Sequence, residues 1–300
     1  KNTLVGFTLI GAVLIGFSIY NRPSQEEMER AKRYQDSITI AQVEAAKLEA
    51  EAAAQSVQAL TLDSTSLFFG ANQGTEQFTT LENNLVKVTF SNKGGRVVSA
   101  TLKDYKNQQG EPLTLFNEQE SAMNFAFEGK NENILTEDMF FQPINVTDST
   151  VTMRLQTTGA GYIDFAYRLL PESYLVNFDI RAVGMQNFFP AAQKTVNIDW
   201  SQLARQQEKG YDFEQRYTSL TYKPVDDGAD YLSEMKDDKE TFEEPMEWIA
   251  FKNQFFSSVL VANQDFDNVT LESKLQKEGS GYMKSYNAEM TTFFDPTGKE

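Results

Sequence analysis

The chain of 300 residues contains neither cysteine nor histidine. Without cysteine there is no disulfide framework and no thiol nucleophile, which is compatible with an envelope or a cytoplasmic setting and selects neither. Without histidine the commonest general base and the commonest metal ligand are gone, together with every Ser-His and Cys-His arrangement. Positive charge is scarce too: 27 Lys and Arg stand against 43 Asp and Glu, a net charge of -16. Such a field repels phosphate backbones and anionic headgroups, so nucleic acid is not expected as a partner.

Charge is missing altogether from residues 2–21. Twenty uncharged residues make a helix about 30 Å long, the thickness of a hydrocarbon core. Ten of them are Leu, Ile, Val or Phe. Gly6, Gly11 and Gly16 recur every five residues, which scatters them around the helix. The close-packing GxxxG seam is therefore absent, and homodimerisation through this helix has no support. The apolar run exceeds the roughly seven to fifteen residues of a cleavable signal, and residues 17–22 offer no small-x-small site. Residues 1–22 are predicted to be an uncleaved transmembrane signal anchor, which makes the lipid bilayer the first partner.

Pro23 follows directly, and Ser24 with Glu27 has the spacing of a capping box. From Gln25 to about Leu60 the chain is rich in Ala, Glu, Gln and Lys without one Gly or Pro, a strong helical window. Ala31, Ile38, Ala45 and Ala52, with Tyr34, Ala41 and Leu48 between them, recur as a heptad would require, though alanine makes a thin seam. Residues 23–60 are predicted to be a helical linker, either a weak coil or a solvated spacer.

Beyond Leu60 the period changes from 3.6 to 2. Val86, Val88 and Phe90 alternate with polar residues, as do Val151, Met153 and Leu155. Ile163, Phe165, Tyr167 and Leu169, then Val176, Phe178 and Ile180, then Val196, Ile198 and Trp200 repeat the pattern. Strands with one wet face imply antiparallel sheets, and the glycine-rich turns between them have the spacing of a sandwich. The acidic stretch of residues 226–247 reads as a solvated loop. Its Asp226, Gly228 and Asp230 do not meet the calcium-loop spacing. Next comes an apolar run with Trp248, Ile249, Phe251, Phe255, Phe256 and Val259, which fits neither period cleanly. It is either core or a surface that docks a partner.

Two segments carry a resemblance. LVKVTFSNKGGRVVSATLKDY, residues 85–105, resembles the opening of the periplasmic domain in YidC-type membrane protein insertases. There a strand, a paired-glycine turn and a strand ending in Leu-Lys-x-Tyr recur, here with Gly94, Gly95, Leu102, Lys103 and Tyr105. EWIAFKNQFFSSVLVA, residues 247–262, resembles a late segment of the same domain, through Trp248, Phe255 and Phe256. The long linker departs from the short one of many members.

The resemblance implies a mainly β protein: an antiparallel β-supersandwich over residues 61–300, behind one transmembrane helix and the Ala/Glu-rich helix. It implies an inner-membrane protein with everything after about residue 22 in the periplasm. Its role would be to insert and fold inner-membrane proteins, alone or with the Sec translocon. Nascent inner-membrane proteins and Sec components are thus the expected partners, with Trp248, Phe251, Phe255 and Phe256 as candidate contacts. Gly94, Gly95, Leu102 and Tyr105 would be structural. No catalytic residue, metal or cofactor is called for. The substrate groove of the family lies among later membrane helices, and the chain is expected to stop inside or just after the domain, before any of them. Two other readings are a membrane-anchored periplasmic adaptor and a signal-peptidase-like Ser-Lys protease. Lys87, Lys103 and Lys252 are poor bases for the latter, since their polar neighbours point them to water.

Overall fold

The computed structural model describes residues 64–108 and 110–297. The predicted anchor, its capping box and the helical linker lie outside them. Among the described residues no helix is long and apolar enough to cross a membrane. Seventeen antiparallel strands dominate, and the one α-helix among the described residues is the short α1, Tyr211–Gln215.

The first sheet is a meander of β1 (Phe78–Glu82), β2 (Val86–Ser91), β3 (Val97–Lys106) and β4 (Pro112–Phe116) in chain order. The second runs β10 (Val176–Val183), β9 (Tyr162–Leu169), β8 (Thr150–Gln156), β7 (Gln142–Ile144). The third and largest takes the remaining strands. It contains β5 (Ser121–Glu128), β6 (Asn133–Leu135), β11 (Thr195–Arg205), β12 (Ser219–Pro224) and β13 (Asp230–Tyr231). It also holds β14 (Asp238–Thr241), β15 (Met246–Lys252), β16 (Ser257–Leu275) and β17 (Tyr282–Phe293). Its order is β13-β12-β15-β16-β17-β11-β5-β6, with β14 also paired to β16.

The period-two segments form strands where alternation predicts them. In β8 and β9, Val151, Met153, Leu155, Ile163, Phe165 and Tyr167 are buried while the residues between them are half-exposed. Phe165 is the centre of the sandwich: its ring packs against Phe125 of β5 at 5.0 Å, Phe178 of β10 at 5.3 Å and Phe141 at 4.9 Å. Beside it Tyr167 stacks on Phe178 at 4.6 Å, touches Phe90 of β2 at 4.7 Å, and donates its hydroxyl to Gly95 O. One strand thus joins all three sheets. A second ring cluster runs Phe68, Phe188, Phe189, Phe294 at 5.4, 4.8 and 5.2 Å. It brings the first and last parts of the described chain together.

The large sheet folds over on itself. In hydrogen-bonding order β15 lies three strands from β11, about 14 Å along a flat sheet. Yet Phe251 of β15 stacks on Trp200 of β11 with centroids 3.8 Å apart, and on Tyr286 of β17 at 5.2 Å. The fold occurs within β16. The partner of β15 jumps from Phe266 at Met246 to Val261 at Trp248, leaving four residues of β16 bulged out. Asp265 and Asn268 there take φ of 31° and 51°, which only short polar side chains or glycine adopt readily.

The acidic stretch is more ordered than a solvated loop. It forms β13 and β14 and buries Leu232 and Phe242, two apolar anchors outnumbered in sequence by carboxylates.

Candidate partner-binding surface

The β15–β16 hairpin places the apolar run of the sequence. Asn253 Oδ1 accepts from the main-chain N–H groups of Phe255 and Phe256 at 3.3 and 3.0 Å, an Asx turn that closes the loop. Phe255 is thrown outward and is 64 % exposed. Phe256 turns sideways and meets Tyr105 edge-on at 5.1 Å. In the strands, Trp248 lies opposite Val261 and Ala250 opposite Val259, so those four share the outer face. Ile249 lies opposite Leu260 and Phe251 opposite Ser258 on the inner face.

The predicted contact residues therefore separate. Phe255 is at the surface, Trp248 and Phe256 are half-buried, and Phe251 is only 2 % exposed between Trp200 and Tyr286. Phe251 is a core residue, unavailable to a partner. Sequence reasoning missed Val261 and gave Val259 no role of its own; they are 63 % and 50 % exposed and extend the ridge begun by Phe255. The signal for them was their place after the aromatic pair in a run with no charge, residues 253–264.

The motif residues of the first hairpin act as supports. Gly94 and Gly95 have φ of 78° and 63°, and a Cβ on Gly95 would stand 2.9 Å from the Phe141 ring. Leu102 is buried, paired with Val86 and Leu113. Tyr105 is the exception, since it is exposed and packs on Phe256. The two sequence segments that carry the resemblance touch each other through that pair.

The surroundings are acidic. Lys223 bridges Glu247 at 3.4 Å, and Gly228 and Tyr231 donate main-chain N–H groups to Asp227 and Asp230. Among the described residues no three carboxylates converge as a metal site. Of the lysines weighed as a peptidase base, Lys87 and Lys103 are exposed, Lys103 bridges Glu82 at 2.8 Å, and Lys252 is half-buried. The lysine that burial does perturb is Lys284, held down to about 8 despite the carboxylates of Glu234, Asp237 and Asp238 nearby. Its ammonium donates to Ser233 O at 2.8 Å and so ties the acidic excursion to β17. On another side a polar cleft of about 250 Å³ is lined by Glu120, Arg205, Gln206, Gln207 and Tyr282. There Glu120 accepts from Arg205 Nε and from the Tyr282 hydroxyl, at 2.7 and 2.9 Å. Those positions are too scattered in sequence to have been found by spacing.

A family model described as the YidC periplasmic domain matches residues 79–299. The chain belongs to the YidC periplasmic domain family. Among relatives, a protein named membrane protein insertase YidC from Phocaeicola vulgatus is 72 % identical over all of this chain and 49 % of its own length. One of the same name from Bacteroides fragilis is 52 % identical with the same coverage. The chain thus spans about half the length of the curated relatives it matches. Among solved structures, a galactose mutarotase-like protein from Lactobacillus casei aligns over 74 % of this chain and 90 % of its own, at 10 % identity and a TM-score of 0.40. Membership of the YidC periplasmic domain family and the antiparallel sandwich agree with the reading of the two segments.

Proposed function

We propose that the chain is the N-terminal part of a membrane protein insertase and chaperone, its β-sandwich held in the periplasm by residues 1–22 in the inner membrane. The single observation that supports this most is the 72 % identity, along the whole chain, to a protein named membrane protein insertase YidC. The role is non-covalent. The free energy for insertion comes from moving apolar surface of the client into lipid, at roughly 25 cal/mol per Å², so no nucleophile or metal is needed. Nascent inner-membrane proteins are the clients, Sec translocon components the second partners, and the exposed ridge of Phe255, Val259 and Val261 beside Trp248 and Phe256 the contact surface. The test is depletion of the full-length protein in its own cells. Inner-membrane proteins should then fail to insert and assemble, and normal insertion would refute the reading. For Sec association, Phe255→Ala with Val261→Ala should weaken co-purification while leaving the thermal midpoint unchanged.

A further inference from the structure

Over its first half, β16 has a strand on one side only. Phe266 pairs with Met246 of β15 and with Thr292 of β17, which puts β15 and β17 on opposite edges. The pairing with β15 continues back to Ser257, whereas that with β17 covers only Phe266 to Leu275. Along residues 257–261, among the described residues, the edge facing away from β15 therefore has no strand to meet its main-chain N–H and C=O groups.

Exposed edges are usually blunted by lysine, proline, an inward charge or a bulge. This one ends at the bulge of residues 262–265 but has no charge or proline of its own: residues 253–264 contain neither, in a chain that is 23 % charged. Beneath its Ser257 end, on the inner face shared with Phe251, lies a cavity of about 10 Å³ bounded by Leu115, Gln202, Arg205 and Phe256. Gln202 is 6 % exposed, yet its Oε1 has no hydrogen-bond partner, and neither has Ser258 Oγ on the opposite wall. Buried polar atoms are normally paired, but these two lie on the inner face and are not presented at the edge.

We infer that the free edge of β16 accepts an extended segment of another polypeptide as an added strand. Its five regular residues span about 17 Å, enough for a short guest strand. The guest's main-chain groups pair with those of residues 257–261. Its side chains are apolar and β-branched, matching Val259 and Val261. Its flanks are Lys or Arg. At the far end the edge runs into Asp265 and Asp267, the approach to β15 carries Glu243 and Glu244, and the chain as a whole is at -16. A second copy of this chain would bring the same negative charge, so it is the wrong guest on electrostatic grounds. The inference stands on the edge alone and goes beyond the insertase reading.

The test uses the full chain in detergent micelles and a labelled peptide, Lys-Lys-Val-Thr-Val-Thr-Val-Thr-Lys-Lys. Saturable binding is expected. N-methylation of alternate peptide nitrogens, which blocks strand pairing and leaves the protein untouched, should weaken it at least about tenfold. Glutamate flanks, or salt raised from about 50 to about 500 mM, should weaken it similarly. Val259→Lys with Val261→Lys should abolish binding at an unchanged thermal midpoint. Equal binding of the N-methylated peptide would overturn strand addition, and equal binding of the glutamate-flanked one would overturn the charge assignment. No peptide binding, with self-association that the lysine variant abolishes, would make a second copy the guest instead. None of these results bears on the depletion experiment, so the two readings fail separately.

Discussion

Phe251 and Phe255 stand four residues apart in one hairpin and have opposite surroundings. The first fills the space between Trp200 and Tyr286, so Phe251→Ala leaves a cavity and should cost about 3–5 kcal/mol in chemical denaturation. Phe255→Ala removes an exposed ring and should change stability by no more than about 0.5 kcal/mol. Both are uncharged aromatic residues in one run, and composition cannot separate them. The Asx turn at Asn253 decides which ring faces in. Gly95 is a case where the sequence was more informative, since paired glycines announce a turn. What it did not announce is the Phe141 ring against the Gly95 Cα. Positive φ and that contact together predict a loss of about 2–3 kcal/mol for Gly95→Ala in the same assay. Lys284 gives the clearest single-residue pH signature. Its folded value is near 8 and its unfolded value near 10.5, so the fold sheds the proton first and stability rises with pH between those values. Urea midpoints should climb from pH 8 to about 9, before the hydroxyls of Tyr167, Tyr222 and Tyr286, raised by burial, pull stability down again near pH 10, and Lys284→Met should flatten the climb.

Strands with an uninterrupted period of two were legible. β8, β9 and β11 each bury alternate residues, and the hydrophobic pattern has no other explanation. The β15–β16 pair was not legible, because a four-residue loop and a bend inside β16 each shift the phase of the pattern. The acidic stretch was misread for a different reason: two buried anchors, Leu232 and Phe242, hold an excursion whose average composition is that of a solvated loop. The bend in β16 is itself testable. Asn268 holds a φ of 51° and donates to the Thr291 hydroxyl at 3.0 Å. Asn268→Val puts a β-branched side chain in that conformation and should cost about 1–3 kcal/mol. Because the bend lays Phe251 over Trp200, tryptophan fluorescence should change with it.

At the scale of the whole molecule the excess of carboxylates sets the response to pH. Burial raises the carboxyls of Glu137, Asp199 and Glu214 above their ordinary values, with Asp138 and Glu289 adding repulsion to the first two and Glu208 to the third. A carboxyl whose folded value is raised gives stability that is complete below the unfolded value and is lost as pH rises through the folded one. The sandwich should therefore unfold at higher urea concentration near pH 5 than at pH 7, and added salt should narrow the difference by screening the net charge. A midpoint that falls on acidification from pH 7 to 5 would contradict this. The antiparallel architecture was visible in the alternation of the sequence. The grouping into three sheets, and the closure of the largest over its own strands, depend on contacts among rings far apart in the chain, which no local pattern encodes.

The ring cluster of Phe68, Phe188, Phe189 and Phe294 has a mechanical consequence. Tension applied between the first and last parts of the described chain strains four aromatic side chains that meet edge to face. Phe294 also directly follows β17, and its main-chain N–H donates to Lys194 O at 2.8 Å just ahead of β11, so a pull there reaches the middle of the largest sheet at the same time as the rings.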